Sequence, residues 1–330
     1  MSTKTCWVIT LGIPGMDNQS LGLAEVLGFD IVQKFVEPVA PWKFIPPQLW
    51  VPPLSFYGSR TDRFEPPWPD VLIGTGRQTI AASLAVSRSS CGQTFTVRIQ
   101  DPHIDLKKFD LVVTPEHDQC RGDTVFATRG ALHIVTPQRL ADAARRDVMK
   151  SSGPRLNDLP APRIAVLVGG NNKYFQLTPV VARDLAGRLR RTVLDSGGSL
   201  MLTTSRRTGK EAEAILRDQL SDLPSVIWTG EGENPYLGFL ALADHIVTTC
   251  DSVSMASEAC ATGKPVYVFD LPGGSAKFER FHRIMRDAGY TRPFTGALQD
   301  GWGKRLDDMS AAAHEVLRRM NAKSQGPSRT

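Results

Sequence analysis

Short apolar runs alternate with amphipathic helical patterns over most of this chain, and that alternation restricts it to few folds. CWVITL, DVLIG, TFTVRI and DLVVT occupy the first half; RIAVLV, SLMLTTS, VIW, HIVTT and PVYVF follow in the second. Apolar runs this short, bounded by glycine and polar residues and separated by helix-length segments, predict βαβ units and parallel sheets. In the second half the spacing predicts helices over 178–195, 208–220, 235–243, 254–261 and 275–288. The first of these has Val181, Leu185, Leu189 and Val193 at every fourth position and ends at Gly197 and Gly198. The first half repeats the theme, with helices over 19–27 and 79–88. The expected class is α/β, with two Rossmann-like domains facing across a cleft.

The 330 residues suit two domains. The expected boundaries are 1–150 for the first domain, a linker over 151–162 (SSGPRLNDLPAP), 163–305 for the second, a helix over 306–321 that crosses back, and a disordered tail over 322–330. An insert over 38–70 holds nine of the 23 prolines, which forbid regular helix or central strand there. Its Trp42, Phe44, Trp50 and Phe56 are large apolar groups suited to a bilayer interface or an acceptor, and equally to packing on their own domain.

Composition excludes several classes. Hydrophobic residues make up 41% and charged residues 22%, which rules out a disordered or fibrous chain. The net charge of +5 comes from dispersed basic residues, so no nucleic-acid partner is expected, while a peripheral contact with an anionic membrane is. The five cysteines form no CxxC and stand mostly in apolar stretches, as buried reduced thiols would. The apolar run at the N-terminus is too short for a signal peptide, and no run approaches the roughly 18 residues that span a bilayer. The expected location is cytoplasmic, with peripheral association on the inner face of the membrane.

Ligands of open α/β sheets bind at the carboxyl ends of strands, so the residues just after each apolar run are the candidates. In the first half these include Gly12, Gly15 and Asp17, then His103, then Glu116; Asp17, His103 and Glu116 are candidate general bases by position. In the second half they are Gly169, Gly170 and Asn171, then Arg206 and Arg207, then Asp251, Ser252 and Ser254. Serine hydroxyls and free amides at a helix N-terminus suit phosphate, and Glu258, one turn further in, suits the paired hydroxyls of a ribose. The same residues also suit plain helix capping and a solvated carboxylate. Ser275, Arg280 and His282 follow the last strand. Neither GxGxxG nor GxxxxGK[ST] occurs, and no histidine pair has metal-ligand spacing, so neither a cofactor nor a metal is expected.

PGMDNQSLGLAE, PDVLIGTGR, IQDPHID, FDLVVTPEHD, VLVGGNNKYF, TTSRRT, GEGENPYLGFLALAD, DSVSMASEACATGKPVYVF and RFHRIMRDAG resemble the bacterial relatives of the plant mitochondrial-fission factor of the elongated-mitochondria type, over nearly the whole chain. More distantly, LALADHIVTTCDSVSMASEACATGKPVYVF is similar to the donor-binding half of GT-B glycosyltransferases, especially the N-acetylglucosaminyltransferase that completes the peptidoglycan lipid intermediate. That resemblance implies a nucleotide-sugar in the second domain and an acceptor, a glycan or lipid-linked, in the first. It places Ser252 and Ser254 at phosphate, Glu258 at ribose, 275–282 at the sugar and the turn from Gly12 to Gly15 at the diphosphate. The histidine that closes the glycine-rich turn in those enzymes has no counterpart, and Asp17 is its nearest replacement. The implied activity is transfer of a sugar from a nucleoside-diphosphate donor to a cell-envelope acceptor. A sugar-nucleotide epimerase and a non-catalytic membrane adaptor are the alternatives.

Overall fold

A computed structural model describes residues 4–40, 44, 45, 57–148 and 155–325. The chain forms two compact units, Met1–Ile134 with Asp307–Thr330, and Val135–Leu306. In the first unit β1 (Thr5–Thr10), α1 (Pro14–Leu27), β2 (Asp30–Phe35), β3 (Val71–Thr75), α2 (Ile80–Ser89), β4 (Phe95–Ile99), β5 (Leu111–Pro115) and β6 (Val125–Thr128) follow in order. The second contains α3 (Pro137–Val148), β7 (Arg163–Val168), α4 (Pro179–Ser196), β8 (Ser199–Thr204), α5 (Lys210–Leu220), β9 (Ser225–Trp228), α6 (Tyr236–Leu242) and β10 (His245–Thr249). It continues with α7 (Val253–Ala261), β11 (Val266–Phe269), α8 (Ala276–Asp287) and β12 (Arg292–Pro293), after which α9 (Asp308–Gln325) belongs to the first unit.

Each unit carries one parallel six-stranded sheet, ordered β2-β1-β3-β4-β5-β6 and β12-β11-β10-β7-β8-β9. Both orders are doubly wound: the chain direction across the sheet reverses at β1/β3 in the first and at β7/β10 in the second. The strands read as unbroken apolar runs because both faces are covered. On β7, Ile164, Val166 and Val168 enter a core with α4 and α5, while Ala165 and Leu167 enter a core with α6, α7 and α8. In the first unit, Cys6, Val8, Val71, Ile73, Val97 and Leu111 pack beneath α1 and α9, whereas Trp7, Ile9 and Leu72 pack with α2.

Several boundaries differ from the sequence expectation. The division falls after Ile134, not at 150, because α3 packs on α6, with Leu140 against the core that holds Phe239 and Leu240. Asp147 accepts the backbone N–H groups of Leu156 and Asn157 at 3.0 Å, so the later part of the expected linker is fastened to α3; residues 149–154 lie outside the described ones. Helix α1 begins at Pro14 rather than 19, since proline suits the first helical position. Helix α9 runs on through residues 322–325 of the expected tail. Cys91 is exposed, unlike the other four cysteines. Trp42, Trp50 and Phe56 lie outside the described residues; Phe44 is exposed, and the insert's end packs inward through Tyr57 and Phe64. Among the described residues no helix is long and apolar enough to cross a membrane.

Gly22 in the middle of α1 is required by packing. A Cβ there would lie 2.0 Å from the carbonyl oxygen of His133 and 3.1 Å from Met309 Cε of α9. Gly22→Ala is therefore expected to destabilise the first unit by roughly 1 to 3 kcal/mol, despite alanine's better helix propensity. A lower urea midpoint for this unit checks it; an unchanged midpoint would mean that α1 shifts freely.

Candidate functional site

In the second unit the carboxyl ends of β7 and β10 meet where the sheet order reverses, the place at which such sheets bind ligands. The turn after β7 is Gly169-Gly170-Asn171-Asn172. A Cβ on Gly169 would lie 2.2 Å from Asp251 Oδ1, and one on Gly170 2.3 Å from the carbonyl oxygen of Arg207, so the first two positions admit only glycine. The close approach lets Gly170 N–H donate to Asp251 Oδ2 at 2.9 Å. Thr249 donates to Asp251 Oδ1 at 2.6 Å, and Arg207 Nη2 lies 2.9 Å from Oδ2. Asp251, 2% exposed, is therefore a buried anion fully engaged by β7, β10 and the loop after β8. Asn171 is committed too, donating its N–H to Arg207 O at 2.8 Å and accepting from Leu177 N–H through Oδ1 at 2.8 Å.

Around this closed centre stand groups with bonding capacity left over. Ser252 caps α7, accepting from Met255 N–H at 3.3 Å, and among the described residues Ser254 has no side-chain partner. Arg206 is exposed and has no partner among the described residues, whereas Arg207 is held by Asp251. At α8, Ser275 stands at the N-cap position without making a cap bond, and its Oγ is buried and unpartnered. His282 Nε2 lies 2.7 Å from the carbonyl oxygen of Cys250; a carbonyl only accepts, so Nε2 carries the proton. Its buried Nδ1 has no partner among the described residues, and burial pushes the ring's pKa down, which favours a neutral imidazole with an open acceptor. Arg280 is half-buried on the same helix.

Glu258, half-buried on α7, accepts a short hydrogen bond from Tyr236 OH at the start of α6. Burial raises its carboxyl pKa from 4.5 to about 7, against a lowering by the Tyr236 bond. Burial, then the neighbouring Glu258, pushes the Tyr236 phenol well above its ordinary value. The sequence reading missed Tyr236: it precedes Glu258 by 22 residues on another helix, and only the fold brings the two together.

In the first unit the candidate bases occupy separate turns. Asp17 is half-buried in the first turn of α1 and accepts Leu11 N–H through Oδ1 at 3.0 Å. Gly12 takes the left-handed conformation, with φ +70, while a side chain at Gly15 would meet open space. His103 is exposed, has φ +54, and lies 3.4 Å from Asp101 Oδ2. Glu116 is half-buried just after β5.

Two doubly wound parallel sheets in sequence define a GT-B-like α/β protein. Residues 14–320 match the family described as Mitochondrial fission ELM1, and the chain belongs to that family. It is 32% identical over 287 residues to the Arabidopsis thaliana mitochondrial fission protein ELM1, covering 79% of this chain and 66% of that protein, just under two thirds of its length. Among solved structures, UDP-GlcNAc 2-epimerase from Methanocaldococcus jannaschii is similar at TM-score 0.51 and 11% identity, over 96% of this chain and 99% of the epimerase. Its complex with UDP-GlcNAc and UDP gives TM-score 0.50 and 12% identity, over 96% and 99%.

Two outcomes follow for stability. Asp251→Ala strands Gly170 N–H, Thr249 OH and the Arg207 guanidinium, and is expected to cost about 2 kcal/mol or more in urea unfolding; a loss below about 0.5 kcal/mol would show that water replaces the carboxylate. Glu258 has a raised pKa, so its contribution is most favourable below 4.5 and is lost as pH rises through about 7. Glu258→Gln abolishes that titration and is expected to gain on wild type as pH rises from about 5 to 8, by up to about 1.4 kcal/mol per unit. Parallel stability–pH curves for the two proteins would contradict the buried carboxyl.

Proposed function

We propose that the second unit binds a nucleoside-diphosphate sugar and that the protein transfers the sugar to a glycan or lipid-linked acceptor of the cell envelope. The observation that carries this reading is the set of unsatisfied groups around the β7/β10 reversal. Ser252 and Ser254 with the N-terminus of α7 offer hydrogen-bond donors and a partial positive charge to a diphosphate. Arg206, free of any carboxylate, adds a full charge, and Arg207 adds the donors that Asp251 leaves open. Glu258 accepts from the ribose, and Ser275, Arg280 and His282 meet the sugar. The glycine pair Gly169-Gly170 shapes the turn beside the ligand by admitting the Asp251 carboxylate and the Arg207 backbone.

In the transfer step the acceptor hydroxyl loses its proton to a base as its oxygen attacks the anomeric carbon, and the bond from that carbon to the diphosphate breaks. The leaving diphosphate keeps the electron pair, stabilised by Arg206 and α7. Asp17 is the base in this proposal: Leu11 N–H orients one carboxylate oxygen, and the other has no partner among the described residues. His103 and Glu116 are the next candidates. The Gly12–Gly15 turn is proposed to meet the diphosphate. Trp42, Phe44, Trp50 and Phe56 are proposed to contact a lipid-linked acceptor or an anionic membrane.

A second reading, epimerisation of a sugar nucleotide, draws on the solved neighbour that holds UDP-GlcNAc and UDP. One experiment separates the two. Incubation with UDP-GlcNAc and an extract of undecaprenyl-linked and free glycan acceptors is followed by phosphorus-31 NMR and chromatography. Acceptor-dependent release of UDP is the expected result, and an Asp17→Asn protein should be slower by roughly 100-fold or more. Accumulation of the 2-epimer without UDP would replace transfer by epimerisation. Absence of any binding by calorimetry at millimolar nucleotide-sugars, across uridine, guanosine and thymidine donors, would end both.

A further inference from the structure

Where β4 and β5 begin, at the end of the first unit's sheet opposite the candidate bases, lies a cavity of about 1000 Å³, large enough for a small-molecule ligand. Two walls carry its charge. The C-terminal end of α9 supplies Arg319 and Lys323, and the short turn Leu106–Lys108 before β5 supplies Lys107 and Lys108. Among the described residues Asp110 is the one carboxylate in the lining, and it is already committed. Its Oδ2 accepts Thr96 N–H at 2.8 Å and the Thr96 hydroxyl at 3.0 Å, while Oδ1 accepts from Lys323 Nζ at 2.8 Å. Arg319 donates through Nε to Glu315 and through Nη1 to Asp123 O at 2.9 Å, which leaves Nη2 without a partner among the described residues. Lys107 and Lys108 are exposed, and neither side chain has a partner among the described residues. Complementing the carbonyl end of α9 accounts for Lys323. It does not account for Lys107 and Lys108, which come from another segment. Four cations against one paired carboxylate make a cavity that concentrates anions.

We propose that this cavity is a ligand site for a small soluble anion of the phosphate class with two or more negative charges, held between Arg319 and Lys323 on one wall and Lys107 and Lys108 on the other. Ammonium and guanidinium groups both suit phosphate oxygens, and a diphosphate offers enough of them to engage the two walls together. Asp110 positions Lys323, and Glu315 positions Arg319, so that wall is set before the ligand enters. The proposal is independent of the nucleotide reading of the second unit, because every lining residue belongs to the first.

Cys91 provides the test: it lines the cavity and is exposed, whereas the other four cysteines are buried. Its labelling by dithiobis(nitrobenzoate), a dianionic disulfide, is compared with labelling by the neutral dithiodipyridine, with inorganic pyrophosphate as the ligand probe and potassium chloride holding the ionic strength constant. In either reaction the Cys91 thiolate attacks the reagent disulfide; one reagent sulfur joins Cys91, and the other leaves with the electron pair as the chromophore that is read. Millimolar pyrophosphate is expected to slow labelling of wild type saturably. Changing Lys107→Gln and Lys108→Gln together should weaken that protection and lower the rate with the anionic reagent, relative to the neutral one, by roughly 10-fold or more. Both positions are exposed, and an unchanged urea midpoint confirms that the variant is folded. Pyrophosphate bound only in the second unit would leave Cys91 labelling unchanged. Absence of saturable protection in wild type overturns the proposal without any variant, as does equal protection of wild type and the double variant. Protection by phosphatidate vesicles but not by pyrophosphate overturns it as well, since the cavity would then face a lipid headgroup rather than a soluble anion.

Discussion

The buried carboxylate of Asp251 is the interaction on which the second unit's working end depends. It draws an N–H from the β7 turn, a hydroxyl from the end of β10 and a guanidinium from the loop after β8 onto one side chain. An isolated buried charge is too costly to retain, so these three partners are a condition of the fold rather than an embellishment. The requirement propagates outward. Gly169 has no room for a side chain because the carboxylate fills it, and Gly170 none because the Arg207 backbone does. Thr208 completes the closure, donating to the carbonyls of Gly169 at 2.6 Å and Val168 at 3.1 Å. The turns are thereby tied to one another by bonds internal to the unit.

This closure also decides which of two adjacent arginines is available. Arg206 and Arg207 are indistinguishable as sequence, both following a strand of the same sheet. Arg207 turns inward to Asp251, and Arg206 stays in solvent. The inward arginine pairs with the buried carboxylate. The two neighbours therefore differ in surroundings, one bonded to a buried carboxylate and the other exposed.

Much of the architecture was legible because buried parallel strands must be apolar throughout. RIAVLV, HIVTT and PVYVF mark β7, β10 and β11 within a residue or two, and glycines mark helix ends. Two edge and surface elements were not legible for the converse reason. β2, DIVQKF, is half-polar because it borders the sheet, and α3, PQRLADAARRDV, is so polar that its allegiance to α6 rests on few apolar contacts. At the site, helix N-termini and strand ends were predictable from local spacing: Ser252 caps α7 as its sequence suggests. What spacing could not supply was the partner of each polar group. Asp251 reads as a ligand residue and proves to be a structural anion; Glu258 reads as open and proves to be half engaged by a tyrosine from another helix.

The first unit solves the same problem with the opposite charge. Its sheet reverses at β1/β3, and beside that point Arg98 of β4 lies 1% exposed, donating through Nη1 to Gly74 O at 3.3 Å and Thr79 Oγ1 at 2.7 Å. Burial lowers its pKa to about 9, so the guanidinium remains charged at neutral pH. A buried cation tied to carbonyl and hydroxyl oxygens braces the β3–α2 turn as a buried anion tied to N–H, hydroxyl and guanidinium groups braces the β7 turn. The electrostatic consequences differ. Asp251 is paired within its own cluster. Arg98 has no carboxylate bonded to it among the described residues, and Tyr57 and Asp101 act on its charge through space. Both switch points are thus braced by a buried charge, of opposite sign in the two units, although their sequences share no motif.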